Sequence, residues 1–232
     1  MTQQRGLICV SVLAEESRAV LEAAASIAPL ADVIEIRLDG LRAALASGCI
    51  ASIPKPVLAT NRPVWEGGQY TGGEEERINQ LCAALRDGAR YVDIELRTAP
   101  DLRHRLVHEA RQHGAEVIVS SHDFQATPSA GQLSATLRQM IESGADIGKI
   151  VTTAADPGDA LRVLALQQEA MAAHFPLSAF AMGAAGTISR LATLYLGGFM
   201  TYTALARDQA TAPGQITVHD LHALLALLES AP

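Results

Sequence analysis

The chain is 232 residues long, carries a formal net charge of −7, and is 49% hydrophobic with only 4% aromatic residues. That length can bury a full core, as one large α/β domain or two small ones. The acidic balance, with no basic run, argues against a nucleic-acid partner.

In chain order, Leu7–Val12 reads as a strand, too short and too apolar-poor in its flanks for a signal or a membrane span. A helix follows from about Glu15 to Ala28, then a strand Val33–Asp39 with clean alternation: Ile34, Ile36 and Leu38 on one face, Glu35, Arg37 and Asp39 on the other. A short helix Leu41–Ala46 is expected next, leading to a strand Pro56–Thr60. A glycine-rich loop with Arg62, Trp65, Glu66, Gly67 and Gly68 precedes a helix that opens with Glu74, Glu75 and Glu76. Cys82 falls on that helix's Ile78, Leu81, Leu85 face and is therefore core. Tyr91–Leu96 is a strand, with Asp93 and Glu95 opposite Val92, Ile94 and Leu96. A helix Asp101–His113, a strand Val117–Ser121 and a helix Ser129–Ser143 come next. Gly144–Thr153 is the sixth strand, and Gly158–Ala173 a helix. Leu177–Met182, a Gly/Ala loop, a helix Ile188–Leu196, a strand Phe199–Ala204 and a helix Val218–Leu228 end the chain. Cys9, Cys49 and Cys82 show no CxxC spacing and read as reduced thiols of a soluble, cytoplasmic protein.

Strict strand–helix alternation implies a parallel sheet with right-handed crossovers. Eight units predict a single (β/α)8 TIM barrel spanning residues 1–232, with any active site at the C-terminal ends of the strands. A doubly wound open sheet is the rival, but its glycine fingerprint after the first strand is missing. The polar residues gather where a barrel would put a site: Glu35 and Arg37 on the second strand, Arg62 after the third, Asp93 and Glu95 on the fourth, His122 at the end of the fifth and Lys149 on the sixth. So many charges inside a barrel would each cost several kcal/mol if left unpaired, so part of the set should be a self-neutralising network.

Lys149 stands apart. Ile147, Lys149 and Val151 share a face of the sixth strand, and lysine is rarely buried without a partner or a task. The chain has only two lysines against sixteen arginines. Arginine stays protonated in proteins whereas lysine can lose its proton, so a lysine retained here suggests chemistry that needs a neutral amine. Such an amine attacks a carbonyl and forms a Schiff base, and a nearby histidine can move the protons. Arg190, near the start of the seventh helix after Gly183-Ala184-Ala185-Gly186, suggests an anion site for carboxylate or phosphate. His104 and His108 have the spacing of a metal pair but should face solvent, opposite Leu102, Leu106 and Ala110. No metal is expected there, and His219 and His222 are read the same way.

Several segments, in order along nearly the whole chain, resemble the type I 3-dehydroquinate dehydratases of the shikimate pathway. They are Glu35-Ile36-Arg37-Leu38-Asp39, Asn61-Arg62-Pro63 with Glu66-Gly67-Gly68, Tyr91-Val92-Asp93-Ile94-Glu95-Leu96 and Ser121-His122-Asp123-Phe124. Gly144-Ala145-Asp146-Ile147-Gly148-Lys149-Ile150, Ile188-Ser189-Arg190-Leu191 and Ala212-Pro213-Gly214-Gln215-Ile216 complete the set. The resemblance implies a barrel, usually a homodimer, that dehydrates 3-dehydroquinate to 3-dehydroshikimate without metal or cofactor. It assigns the Schiff base to Lys149, acid/base work to His122 and the orienting of His122 to Glu66. Arg190, Gln215 and Thr211 would hold the substrate carboxylate, and Glu35, Arg37 and Arg62 the ring hydroxyls. Phe180, Thr211 and Tyr202 depart from the commoner methionine, serine and phenylalanine of that pattern. Two alternatives from the residues alone are a class I aldolase-type barrel acting on a phosphorylated sugar, and a non-catalytic barrel that binds a carboxylate.

Overall fold

The computed structural model describes residues 5–230, and the chain ends lie outside that range. Eight parallel strands are present: β1 (Leu7–Val12), β2 (Val33–Arg37), β3 (Val57–Thr60), β4 (Tyr91–Glu95), β5 (Glu116–His122), β6 (Ile147–Thr153), β7 (Leu177–Met182) and β8 (Met200–Ala204). They are ordered β7-β6-β5-β4-β3-β2-β1-β8. Seven α-helices return the chain between them or close it: α1 (Ser17–Ile27), α2 (Glu74–Arg86), α3 (Pro100–Gln112), α4 (Ala130–Glu142), α5 (Pro157–Ala172), α6 (Thr187–Tyr195) and α7 (Val218–Glu229). The two edges of the sheet meet at a seam. There the Phe199 N–H donates to the Leu177 carbonyl at 2.8 Å and the Met200 N–H to Ser178 Oγ at 3.1 Å. A serine hydroxyl thus takes the place of a ladder carbonyl, and the barrel is nearly closed.

The in/out alternation of the strands produces the layering. Outward residues such as Ile34, Ile36, Val92 and Ile94 pack under the helices in one apolar cluster. Inside, Val33, Tyr91, Ile147 and Met200 form a buried apolar floor. These come from the four even-numbered strands, as a barrel layer requires. Two residues further along the same strands lie Glu35, Asp93, Lys149 and Tyr202, all buried. Two residues up the same strands, the interior has changed from hydrocarbon to ionisable groups.

One element expected from sequence does not form. Leu41–Ala46 is irregular, and β2 is joined to β3 by two short 3-10 turns, Leu38–Gly40 and Ile50–Ser52. Six residues amount to less than two helical turns, too few to recover the cost of nucleation without a cap or a continuous apolar face. The same turn ends β2 at Arg37, two residues earlier than expected, and swings Asp39 back against the Arg37 guanidinium. Capping holds where the sequence supplies it. Ser129 and Gln132 form a capping box at α4, and Thr217 accepts the Asp220 N–H at the start of α7.

Candidate active site

The nine residues singled out from sequence, Glu35, Arg37, Arg62, Glu66, His122, Lys149, Arg190, Thr211 and Gln215, all line one cavity of about 490 Å³, measured with its open mouth. It lies at the C-terminal ends of the strands, above the ionisable layer. Asp93 and Glu95, also expected at the site, do not line the cavity; they are buried and reach it through their pairs with Arg62 and Lys149.

Lys149 extends inward from β6, and its Nζ lies 3.2 Å from Asp93 Oδ2 and 3.9 Å from the centroid of the Tyr202 ring. Asp93 is shared: it takes the Arg62 guanidinium at 2.7 Å and the Ser120 hydroxyl at 2.6 Å. Burial would raise the Asp93 carboxyl, but Arg62 and then Lys149 outweigh it and hold it well below the usual carboxylate range. Arg62 gives its other arm to Glu95 at 2.6 Å. The second oxygen of Glu95 accepts from Arg77, 2.5 Å away on α2. A row of alternating charges, Arg77–Glu95–Arg62–Asp93–Lys149, thus runs from beneath a helix to the buried lysine amine.

Two further groups are tied down locally. Arg37 makes a bidentate pair with Asp39, at 2.8 and 2.5 Å, and Asp39 also accepts the backbone N–H groups of Arg62 and Gln69. Glu35 accepts the hydroxyls of Thr60, at 2.7 Å, and Ser11. Both side chains are held in place before any ligand arrives.

His122 closes β5. Its backbone N–H donates to Glu66 Oε1 at 2.8 Å, and its Nδ1 lies 3.2 Å from the same oxygen. Phe124 stacks on the imidazole, with ring planes 17° apart and centroids 6.1 Å apart. Burial, with the nearby charges of Arg62 and Lys149, pushes the His122 pKa well below its usual value and leaves the ring neutral at pH 7. Burial raises Glu66 to about 7, against the opposing charge of Arg62. Glu66 reaches His122 because the β3–α2 loop turns tightly. Gly67 has φ +78, and a Cβ there would sit 2.3 Å from the Phe124 ring. A Cβ on Gly68 would sit 2.0 Å from the Arg62 carbonyl oxygen.

Arg190 differs from the other arginines of the cavity. It is 1% exposed, lies over the Phe180 ring at 4.8 Å and donates to the Pro213 carbonyl at 3.2 Å. Among the described residues no carboxylate pairs with it, and burial lowers it to about 10. Thr211 and Gln215 stand nearby on the loop after β8, with the Thr211 N–H donating to Gln215 Oε1 at 2.8 Å. An unpaired buried cation beside an amide N–H2 has the charge and the donors that a carboxylate would need.

Some working residues escaped the sequence reading. Asp93 was visible on the inward face of its strand, but its contact with Lys149 was not. Arg77 left no signal, since an arginine three residues after Glu74 reads as a surface ion pair, yet it is fully buried. His104, His108 and His113 are exposed. Among the described residues no group of three or more His, Cys, Asp or Glu side chains is placed to hold a metal ion, and no helix is long and apolar enough to cross a membrane.

Fold and site define a class: (β/α)8 barrels whose polar cavity is centred on a buried lysine. The family description "Type I 3-dehydroquinase" matches residues 8–232. The 3-dehydroquinate dehydratase of Desulfotalea psychrophila is 40% identical over 219 residues, covering 94% of this chain and 96% of that protein. The solved 3-dehydroquinate dehydratase of Geobacillus kaustophilus superposes with a TM-score of 0.89 at 32% identity, over 99% of this chain and 92% of its own. The type I enzyme of Clostridium difficile, solved with covalently modified comenic acid, superposes with a TM-score of 0.87 at 26% identity, over 97% of this chain and 93% of its own. The chain belongs to the type I 3-dehydroquinase family.

Proposed function

We propose that this protein dehydrates 3-dehydroquinate to 3-dehydroshikimate, a step of the shikimate pathway, by a syn elimination through a Schiff base on Lys149. The observation that carries the reading is the buried Lys149 amine, 3.2 Å from Asp93 and in the same cavity as neutral His122 and unpaired Arg190. Arg190, with Thr211 and Gln215, takes the substrate carboxylate and so sets which ring carbon faces the amine. Glu35, Arg37 and the remaining N–H capacity of Arg62 take the ring hydroxyls.

The Lys149 Nζ lone pair adds to the ketone carbon. That lone pair is freed when the ammonium passes a proton to His122. The carbonyl oxygen then departs as water, taking one proton from the nitrogen and that proton back from His122, and the nitrogen carries the positive charge as an iminium with one N–H left. His122, oriented by Glu66, removes a proton from the adjacent carbon, and the C–H electrons flow to the iminium to give an enamine. Those electrons then expel the β-hydroxyl, which takes the proton back from His122 and leaves as a second water. One acid/base group on one face of the ring gives the syn course. Hydrolysis of the conjugated iminium releases the enone and restores the amine. No step calls on a metal or cofactor. Membership of the family favours this reading over aldol cleavage of a sugar phosphate and over a purely binding role.

Borohydride reduction in the presence of 3-dehydroquinate, followed by peptide mass mapping, tests the central claim. The expected result is a reduced adduct on Lys149 that is absent in Lys149→Ala. Turnover by the wild type with no adduct would refute the Schiff base. The family pattern and the acidic, disulfide-free composition further support a cytoplasmic homodimer, which light scattering on the purified protein would show as twice the 24.5 kDa chain mass.

A further inference from the structure

We propose that the π face of Tyr202 is a catalytic element of this site, a non-ionic cradle for the positive charge that Lys149 Nζ carries as an iminium; this rests on the Schiff-base reading above. Lys149, Asp93 and Tyr202 belong to one barrel layer, each from an even-numbered strand, so the amine is held between a carboxylate at 3.2 Å and an aromatic face at 3.9 Å. The two neighbours change differently as the reaction proceeds. An ammonium offers three N–H donors, whereas an iminium nitrogen bonded to substrate keeps one. The single bond to Asp93 must then be made by that one N–H, fixed in the plane of the C=N group instead of free to rotate, and Asp93 is already engaged by Arg62 and Ser120. The attraction of a ring face for a cation needs no N–H and is strongest for weakly hydrated charge. Tyr202 thus holds its grip on the nitrogen at the point where the carboxylate's weakens.

The ring is built in for this contact. Tyr202 is 4% exposed, and it packs at 5.9 Å against Phe180 across the β7–β8 seam. Phe180 in turn lies 4.8 Å under the Arg190 guanidinium. The two rings thus form an aromatic wall carrying one cation of the site each. Among the described residues the Tyr202 hydroxyl is buried with no hydrogen-bond partner, so the face, and not the phenol oxygen, is what engages the site.

The test is a series at position 202 on the full-length enzyme: Tyr202→Phe, then 4-fluoro-, 3,5-difluoro- and 3,4,5-trifluorophenylalanine in its place. Fluorines drain the ring face while leaving its shape nearly constant, so a packing role is insensitive to them. The expected outcome is a stepwise fall in kcat along the series, reaching about tenfold between the Phe and trifluoro variants, at near-constant KM and Tm. A flat series overturns the proposal, as does a hundredfold loss in Tyr202→Phe alone, which would assign the work to the hydroxyl. Borohydride trapping on the wild type separates the two readings. An adduct on Lys149 with a flat series defeats only the role of Tyr202, whereas turnover with no adduct defeats the Schiff base and this proposal with it.

Discussion

Glu66 and His122 touch with their ordinary acidities reversed. Burial lifts the carboxyl to about 7, and burial with neighbouring cations keeps the imidazole neutral. Near neutrality the contact is therefore a hydrogen bond whose proton can sit on either side. With Glu66 ionised, Nδ1–H must donate to it, which leaves the Nε2 lone pair free to act as a base. With Glu66 protonated, the carboxyl donates to Nδ1, and the imidazole proton moves to Nε2. The base form thus grows in as pH rises through about 7. The wild type is expected to show an acid limb there in kcat/KM, and Glu66→Gln, which cannot ionise, is expected to lose it. Stability runs the other way. A carboxyl whose pKa is raised in the folded state stabilises the fold below its unfolded pKa, and that contribution is lost as pH rises through the folded pKa. Glu66→Gln is accordingly expected to raise stability at about pH 8, by up to about 3 kcal/mol, and to bring no gain at about pH 4, as a pair of thermal melts would show.

At the scale of elements, the β3–α2 loop has the strictest geometry. It must bring Glu66 under His122 while the Trp65 ring contacts the guanidinium groups of Arg97 and Arg77, at 5.1 and 5.9 Å. Gly68 permits this because its α-carbon lies against the Arg62 carbonyl, where a Cβ would come within 2.0 Å. Gly68→Ala must therefore shift backbone. It is expected to lower kcat at least tenfold, with a smaller change in KM, because the orienting contact to His122 is displaced. Gly131→Ala, where a Cβ meets nothing within 4 Å inside α4, is the matched control. It should leave kinetics alone and add about 0.5–1 kcal/mol of stability. The contrast also shows what sequence could read. The loop's glycines were visible, but which of them is jammed against backbone depends on where Arg62 and Phe124 arrive from other strands. Leu41–Ala46 shows the opposite error, a helical-looking composition in a segment too short to nucleate.

For the whole molecule, the seam between β7 and β8 is the place where the barrel is stitched by few bonds, and the carboxylate site proposed above straddles it. Arg190 belongs to α6, which follows β7, while Thr211 and Gln215 belong to the loop that follows β8. A carboxylate bound to both sides cross-links them. A non-reactive hydroxylated cyclohexane carboxylate is expected to raise the melting temperature with concentration, by about 2.7 kcal/mol of stability at a hundredfold excess over Kd, and to slow proteolysis of the loop at residues 205–217. Arg190→Met should abolish both effects. It should also raise the melting temperature of the free protein, because it removes a buried cation that no carboxylate compensates.

The sequence by itself determined the strands, their inward and outward faces, and the convergence of Glu35, Arg62, Asp93, His122 and Lys149 on the barrel mouth. Those depend on alternation and chain order, which are local properties that each strand carries independently. The scarcity of lysine marked Lys149 before any contact was known. Only the tertiary structure decided who pairs with whom. It placed Arg77 beneath Glu95 and out of solvent. It showed Arg62 and Arg37 already committed to carboxylates, and left Arg190 without one. It set the Tyr202 ring under the Lys149 nitrogen. Each of these contacts joins strands or helices far apart in the chain through the stagger of a nearly closed barrel, and no local pattern encodes that stagger.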